Sequence, residues 1–130
     1  MSSKIVLITG AGGFIGKHLS KSLMNDGYEV HGLLLPGENN EYLNRQFVAD
    51  VREIEDLKSV VDKNTKYIFH LAGIASIQKS INNPKLDFYT NTIGTFNMLE
   101  LARTLDLDAF VLASTVSVLD SKSILPINEN

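Results

Sequence analysis

The residues Thr9-Gly-Ala-Gly-Gly-Phe-Ile-Gly16 hold four of the chain's nine glycines. Gly10, Gly13 and Gly16 recur at every third position, one residue wider at the front than the usual G-x-G-x-x-G dinucleotide turn. Between a strand and a helix, the first glycine lets the chain turn sharply, the second lets the backbone approach a pyrophosphate, and the third lets helix and strand pack closely. Free N–H groups at the helix start then face the anion. A merely flexible loop would not need Gly16 inside the first turn of a helix, where glycine costs about 1 kcal/mol against alanine. A P-loop is excluded, because no Gly-Lys-Ser/Thr follows at the required offset. Gly10, Gly13, Phe14, Ile15 and Gly16 are therefore the candidate phosphate-binding residues.

Other polar residues stand where chemistry is possible, each with a plainer alternative. Asp50 follows a short apolar run and can serve as a helix N-cap. His70, between Phe69 and Leu71, reads as a packed strand residue, and with His18 and His31 the only other histidines, a metal site is not expected. Asn91 can satisfy backbone groups between helix and sheet. Ser114 and Thr115 close the fifth apolar run; they can cap the next turn, or sit at a carboxyl edge where open α/β sheets bind ligands.

The elements that must position these residues are legible as runs. Lys4 to Thr9 is continuously β-branched and aliphatic, the pattern of a strand buried on both faces. Phe14, Ile15, Leu19, Leu23 and Met24 then recur at helical spacing until Asn25-Asp26-Gly27 ends the helix. Glu29 to Leu35 is a second strand, closed by Pro36-Gly37, and Gln46 to Ala49 a short third. A helix is expected from Val51 to Asp62, with Ile54, Leu57, Val60 and Val61 inward, and a fourth strand from Tyr67 to Ala72. One long helix is expected from Pro84, where a missing N–H costs nothing, to Leu105, with Leu86, Tyr89, Ile93, Phe96, Leu99 and Ala102 inward. Ala109 to Ser114 makes a fifth strand. Strands alternating with helices predict an α/β fold with a doubly wound, Rossmann-like parallel sheet of about five strands.

Composition narrows the class. At 130 residues with 44% hydrophobic and 21% charged residues, the chain has material for one ordinary globular core and leaves no room for a disordered reading. Residues 1–130 read as a single domain. The net charge of −3 argues against nucleic acid as a partner. No apolar run approaches the roughly 20 residues of a membrane helix, no signal-peptide pattern opens the chain, and it has no cysteine; a cytoplasmic location is the expectation.

Five ordered stretches resemble the extended short-chain dehydrogenase/reductases, the NAD-dependent epimerase/dehydratase family acting largely on nucleotide sugars. Thr9 to Gly16 looks like its TGxxGxxG turn. Asp50-Val51-Arg52-Glu53 is similar to its acidic turn after the third strand. His70-Leu71-Ala72-Gly73 matches its "HLA" strand end, Asn83-Pro84 and Asn91 to Glu100 resemble "nP…NvxGTxnlLE", and Ser114-Thr115 stands where the family keeps a catalytic hydroxyl. The resemblance implies Asp50 and Val51 at the adenine, Leu71, Ala72 and Gly73 along the ribose and nicotinamide, Asn91 and Ser114 at the cofactor, and Thr115 as the catalytic hydroxyl.

It also implies what should be missing. The family's acid–base pair is Tyr-x-x-x-Lys, yet the residues four beyond the chain's four tyrosines are Gly32, Gln46, Leu71 and Ile93. The chain is thus expected to be the N-terminal, cofactor-binding part of an enzyme, ending before the helix of the catalytic tyrosine and the substrate domain. By itself it should be inactive. The intact parent would be an oxidoreductase or isomerase passing a hydride between nicotinamide and a sugar carbinol or ketone, with a nucleotide-sugar substrate and a homo-oligomeric state. Val116 and Ser117 stand where 4,6-dehydratases carry acids that assist water elimination, so epimerisation or ketone reduction fits better than dehydration. A non-catalytic dinucleotide-sensing module and a dehydratase fragment remain alternatives. For the cofactor's 2′ position, Leu34, Leu35 and Pro36 replace the usual acid at the second strand's end. Glu38 is near enough to meet a ribose hydroxyl and would repel a 2′-phosphate, which favours NAD(H) and leaves NADP open.

Overall fold

The computed structural model describes residues 4–115 and 118. Five parallel strands form one sheet in the order β3-β2-β1-β4-β5: β1 (Ile5–Thr9), β2 (Glu29–Leu34), β3 (Arg45–Val48), β4 (Thr65–His70) and β5 (Ala109–Leu112). The chain works outward from β1 to β3, then returns to the other side of β1 for β4 and β5. This reversal puts a crevice at the carboxyl ends of β1 and β4, the place where open α/β sheets bind ligands.

β1 is central, and its unbroken apolar run feeds two cores. Leu7 joins Leu33, Ala49, Val51, Leu57, Ile68, Met98 and Leu101 on one face, while Val6 and Ile8 join Ala11, Val30, Leu34 and Leu43 on the other. Each fully buried Val, Leu, Ile or Met side chain among them contributes roughly 1.5–3 kcal/mol.

Helix α1 (Phe14–Asn25) ends at Gly27, whose φ of 84° is the left-handed conformation glycine adopts freely. Leu19, Leu23 and Met24 of the expected stripe pack against the second core, but its first two members do not. Phe14 and Ile15 are 80% and 64% exposed, and the residues buried are Gly16 and Ser20. A Cβ on Gly16 would collide with the Gly10 carbonyl oxygen and lie 2.7 Å from Ala11 Cα, so the helix approaches the turn through its smallest residue. Large side chains are excluded there for the same reason.

The connection from β2 to β3, residues 35–44, contains no helix. Asn40, only 1% exposed, closes it from inside: its Nδ2 donates to the Ala11 carbonyl (2.8 Å) and Ser20 Oγ (3.0 Å), and its Oδ1 accepts from Tyr42 N–H (3.0 Å).

Helix α2 (Ile54–Val60) covers the first core. After β4 come α3 (Ile77–Asn82), which the sequence pattern does not announce, and α4 (Pro84–Asp87), then a π-helical segment (Phe88–Ile93) leading into α5 (Gly94–Ala102). The expected single helix is thus interrupted, and the expected inward stripe holds only in part, with Ala102 packed on the first core. Gly94, Asn97, Met98 and Leu101 are buried, whereas Tyr89, Phe96 and Leu99 are 45%, 57% and 45% exposed. A π turn adds a residue to the helical repeat and so rotates the face that the next turns present. Gly94 then rests on Val51, and Asn97 Nδ2 donates to the carbonyls of Val51 and Arg52, both at 3.0 Å. Polar anchoring to the turn after β3 decides which face is inward.

Candidate cofactor cleft

A cleft of about 450 Å³ opens at the sheet's carboxyl edge. Gly10 and Gly13 form its floor, Leu33, Leu34, Leu35 and Glu38 one side, Ala49, Asp50, Val51 and Arg52 a second, and Ala72, Gly73, Ile74, Lys79, Leu86 and Thr90 the third. The volume lies within the few hundred to 1,000 Å³ usual for small-molecule sites.

The glycine turn is shaped by close approach. Gly10 has φ 66°, and a Cβ there would lie 2.9 Å from Ala72 N, so β1's end and the Leu71–Ala72 backbone touch through it. Gly13 is the N-cap of α1 in extended conformation (φ −75°, ψ 173°). No side chain caps this helix and its first turn has no acid, which leaves the positive end of the helix dipole without a protein anion from its own element. Phe14 and Ile15 begin that helix, and Gly16 sits behind the turn.

At the second wall, Asp50 is held by Arg52. Its Oδ1 accepts from Arg52 N (2.9 Å) and Nε (2.9 Å), and its Oδ2 from Nε (3.0 Å) and a terminal guanidinium nitrogen (2.5 Å). The Arg52 guanidinium keeps the Asp50 carboxyl below its ordinary range, and 26% of the Asp50 side chain remains accessible to a donor from the cleft. The motif containing Arg52 was visible in the sequence, but this chelation was not.

Glu38 folds back across the glycine turn. Its Oε2 accepts from Leu35 N–H (2.9 Å), and a Cβ on Gly12 would lie 2.6 Å from the same oxygen. The carboxylate therefore stands between the end of β2 and the start of α1.

The third wall is tied to the core by a chain of polar groups. Thr9 Oγ1 accepts from the N–H groups of Leu71 (3.2 Å) and Ala72 (3.0 Å), which leaves its own hydrogen for His70 Nδ1 (2.7 Å). His70 Nε2–H then donates to Thr95 Oγ1 (3.1 Å), whose hydrogen goes to the Asn91 carbonyl (2.7 Å). His70 is a buried, neutral strand residue, and burial pushes its pKa down to about 4. Among the described residues no cluster of His, Asp or Glu could hold a metal ion.

The structure thus brings Gly10, Gly13, Glu38, Asp50, Val51, Ala72 and Gly73 to one cleft. Leu71 lies behind it, packed on the second core. Asn91 is spent on the backbone of Ile74 and on Asp87, not on the cleft surface. Ser114 and Thr115 are exposed just beyond β5, which is carried past β4 by a bond from Ala113 N to the His70 carbonyl (3.1 Å). Val116 and Ser117 lie outside the described residues. Lys79 and Thr90 are cleft residues that the sequence pattern does not single out, Lys79 because the pattern does not announce α3, and Leu86, expected to face the core, lines the cleft instead. The signal for that helix is Ser76, the N-cap that accepts from Lys79 N–H (3.3 Å), followed by Asn83, which caps α4 through Leu86 N–H (3.1 Å).

Residues 6–130 match the NAD dependent epimerase/dehydratase family. The chain belongs to that family. It is 33% identical, over 97% of its length, to a putative UDP-glucose 4-epimerase of Methanocaldococcus jannaschii, and 37% identical, over 98%, to UDP-glucuronic acid decarboxylase 1 of Danio rerio. Among solved structures it is similar to an epimerase of Methanothermobacter thermautotrophicus (31% identity, TM-score 0.87, 98% of this chain covered) and to a Thermus thermophilus UDP-glucose 4-epimerase in complex with NAD (34%, 0.77, 85%). The chain spans 43%, 31%, 40% and 37% of the lengths of these four proteins, in the order given.

Proposed function

We propose that these residues are the dinucleotide-binding part of a nucleotide-sugar epimerase or ketone reductase, with NAD(H) as cofactor. The observation that carries this reading is the convergence on one cleft of an uncapped, acid-free α1 N-terminus, a glycine turn too close to neighbouring backbone for side chains, and the chelated Asp50. The residues fit the group. The N–H groups of Phe14, Ile15 and Gly16 receive the diphosphate, the Gly13 N–H being held by the Gly10 carbonyl (3.1 Å); Asp50 and Val51 receive the adenine edge, and Ala72 and Gly73 line the path to the nicotinamide, with Leu71 behind them and Ser114 at the strand edge.

When bound, the nicotinamide supplies a hydride acceptor or donor for a sugar carbon. The chain's own part is to hold that ring against the sheet edge and, through Thr115, to offer a hydroxyl to the sugar oxygen that gains or loses its proton. The family resemblance assigns the proton to the tyrosine of a Tyr-x-x-x-Lys pair, a motif that does not occur in these 130 residues. Glu38 disfavours a 2′-phosphate and so selects NAD(H) over NADP. A homo-oligomer is part of the same reading, supported by the exposed Phe88, Tyr89, Phe96 and Leu99 along the π segment and α5.

Titration of the 130-residue chain with NADH, followed by its fluorescence, tests the reading. Saturable one-site binding is expected, together with no turnover of UDP-, GDP- or dTDP-sugars. Absence of saturation would overturn the cofactor assignment, and sugar turnover by this chain would overturn the assignment of proton transfer to residues beyond it.

A further inference from the structure

Charge in the cleft is not balanced for the ligand it is proposed to bind. A dinucleotide diphosphate brings two negative charges. The α1 N-terminus offers roughly half a positive charge, and the Glu38 carboxylate, packed against Gly12, opposes it. Arg52 cannot make up the difference, since its guanidinium is committed to both oxygens of Asp50. That leaves Lys79. It is the remaining cation on the cleft lining, and among the described residues no carboxylate lies within ion-pair distance of its ammonium.

Lys79 is also carried by an anchored element. Its N–H is received by Ser76 Oγ (3.3 Å), and the next residue, Ser80, donates to Asp87 Oδ1 (2.7 Å). The same Asp87 oxygen accepts from Asn91 Nδ2 (3.0 Å), which joins α3 to the π segment. A flexible side chain thus extends from a fixed base on α3 and lines the same cleft as Gly10 and Gly13.

We propose that Lys79 is the cation that pairs with the cofactor's phosphates, supplying the charge that α1 alone does not. This rests on the reading of the cleft as a dinucleotide site and adds to it a specific residue. The ammonium acts as a point charge, so arginine should substitute for it where glutamine should not.

The experiment measures NADH by fluorescence, and ADP and adenosine by displacement of NADH, for the 130-residue chain and its Lys79→Gln and Lys79→Arg variants at low and physiological salt. Lys79→Gln should weaken NADH and ADP about tenfold at low salt, leave adenosine within about twofold, and flatten the salt dependence; Lys79→Arg should recover most of the loss. Equal weakening of adenosine would show a structural role and overturn the proposal, as would unchanged ADP binding in Lys79→Gln. A parent chain that binds neither NADH nor ADP would overturn the dinucleotide reading itself, and Lys79's role with it.

Discussion

Asn91 pairs both backbone polar groups of Ile74: its Oδ1 lies 2.7 Å from Ile74 N and its Nδ2 3.0 Å from Ile74 O. One side chain from the π segment therefore fixes the third wall of the cleft, and its second amide hydrogen reaches Asp87 (3.0 Å). A π turn is costly in ordinary helices, and here it aims a carboxamide that a regular helix would point elsewhere. Gly73 leaves room for this, since a Cβ there would sit 3.0 Å from Asn91 Oδ1.

Replacing Asn91 should loosen that wall. Asn91→Ala leaves the Ile74 N–H and carbonyl without partners in a half-buried place, at a cost of about 1–3 kcal/mol. Asn91→Asp should be at least as harmful, because a carboxylate would face the Ile74 carbonyl and Asp87. Denaturant melts and NADH titrations of both variants should show lower stability and weaker binding. Unchanged values for Asn91→Ala would mean that water replaces the amide without loss.

Two glycines of the turn should separate binding from folding. Gly13 has an ordinary φ, and a Cβ there meets the Gly10 oxygen at 3.3 Å, a tight but adjustable contact. Gly13→Val should fold and lose NADH binding, as branched methyls enter the space a pyrophosphate needs. At Gly10 both the φ of 66° and the 2.9 Å approach to Ala72 N forbid a side chain. Gly10→Val should therefore lower the melting temperature itself. A folded Gly13→Val chain with normal NADH affinity would remove the diphosphate from this turn.

Cofactor choice should follow Glu38. Glu38→Gln keeps an oxygen for Leu35 N–H but removes the charge, so NADP affinity should rise several-fold while NAD changes little. The preference for NAD in the unsubstituted chain should be greatest at low salt, where repulsion is least screened. Equal NAD and NADP affinities there would dissociate Glu38 from the 2′ position.

The central strands β1 and β2 were legible because strands buried on both faces show as continuous apolar runs, and the glycine turn because its spacing reports close backbone approach; the gathering of Asp50 and Gly73 with Gly10 was legible only through the family resemblance. The helix after β4 was not. A stripe read at 3.6 residues per turn assumes one uninterrupted helix, and the π segment shifts the register just before Gly94. Asn40 was equally invisible: an asparagine two residues past Glu38 reads as turn, and only the folded chain shows it plugging the gap between α1 and the β2–β3 connection. Arg52 and Lys79 belong to the same class, since a charged residue's sequence does not reveal whether its partner is a carboxylate or a cleft.

His70 gives the fold a defined acid sensitivity. Its Nδ1 accepts from Thr9 and its Nε2–H donates to Thr95, an arrangement that requires the neutral ring. Protonation would put two donors on a ring that has one acceptor, because the Thr9 hydroxyl hydrogen already points at Nδ1. With a folded-state pKa of about 4 against 6.5 in the unfolded chain, the unfolded state binds a proton that the folded state refuses throughout that interval. Stability from this group is therefore complete above pH 6.5 and falls as pH drops toward 4, by up to about 3 kcal/mol at 1.36 kcal/mol per pH unit. His70→Asn should destabilise the chain at pH 7.5 and lose less of its remaining stability on acidification. The gap between parent and variant should narrow by about 2 kcal/mol or more between pH 7.5 and 4.5 in urea melts. Parallel stability curves, or a His70 imidazole that titrates near 6.5 by NMR in the folded chain, would show that the ring is not locked between the two threonines.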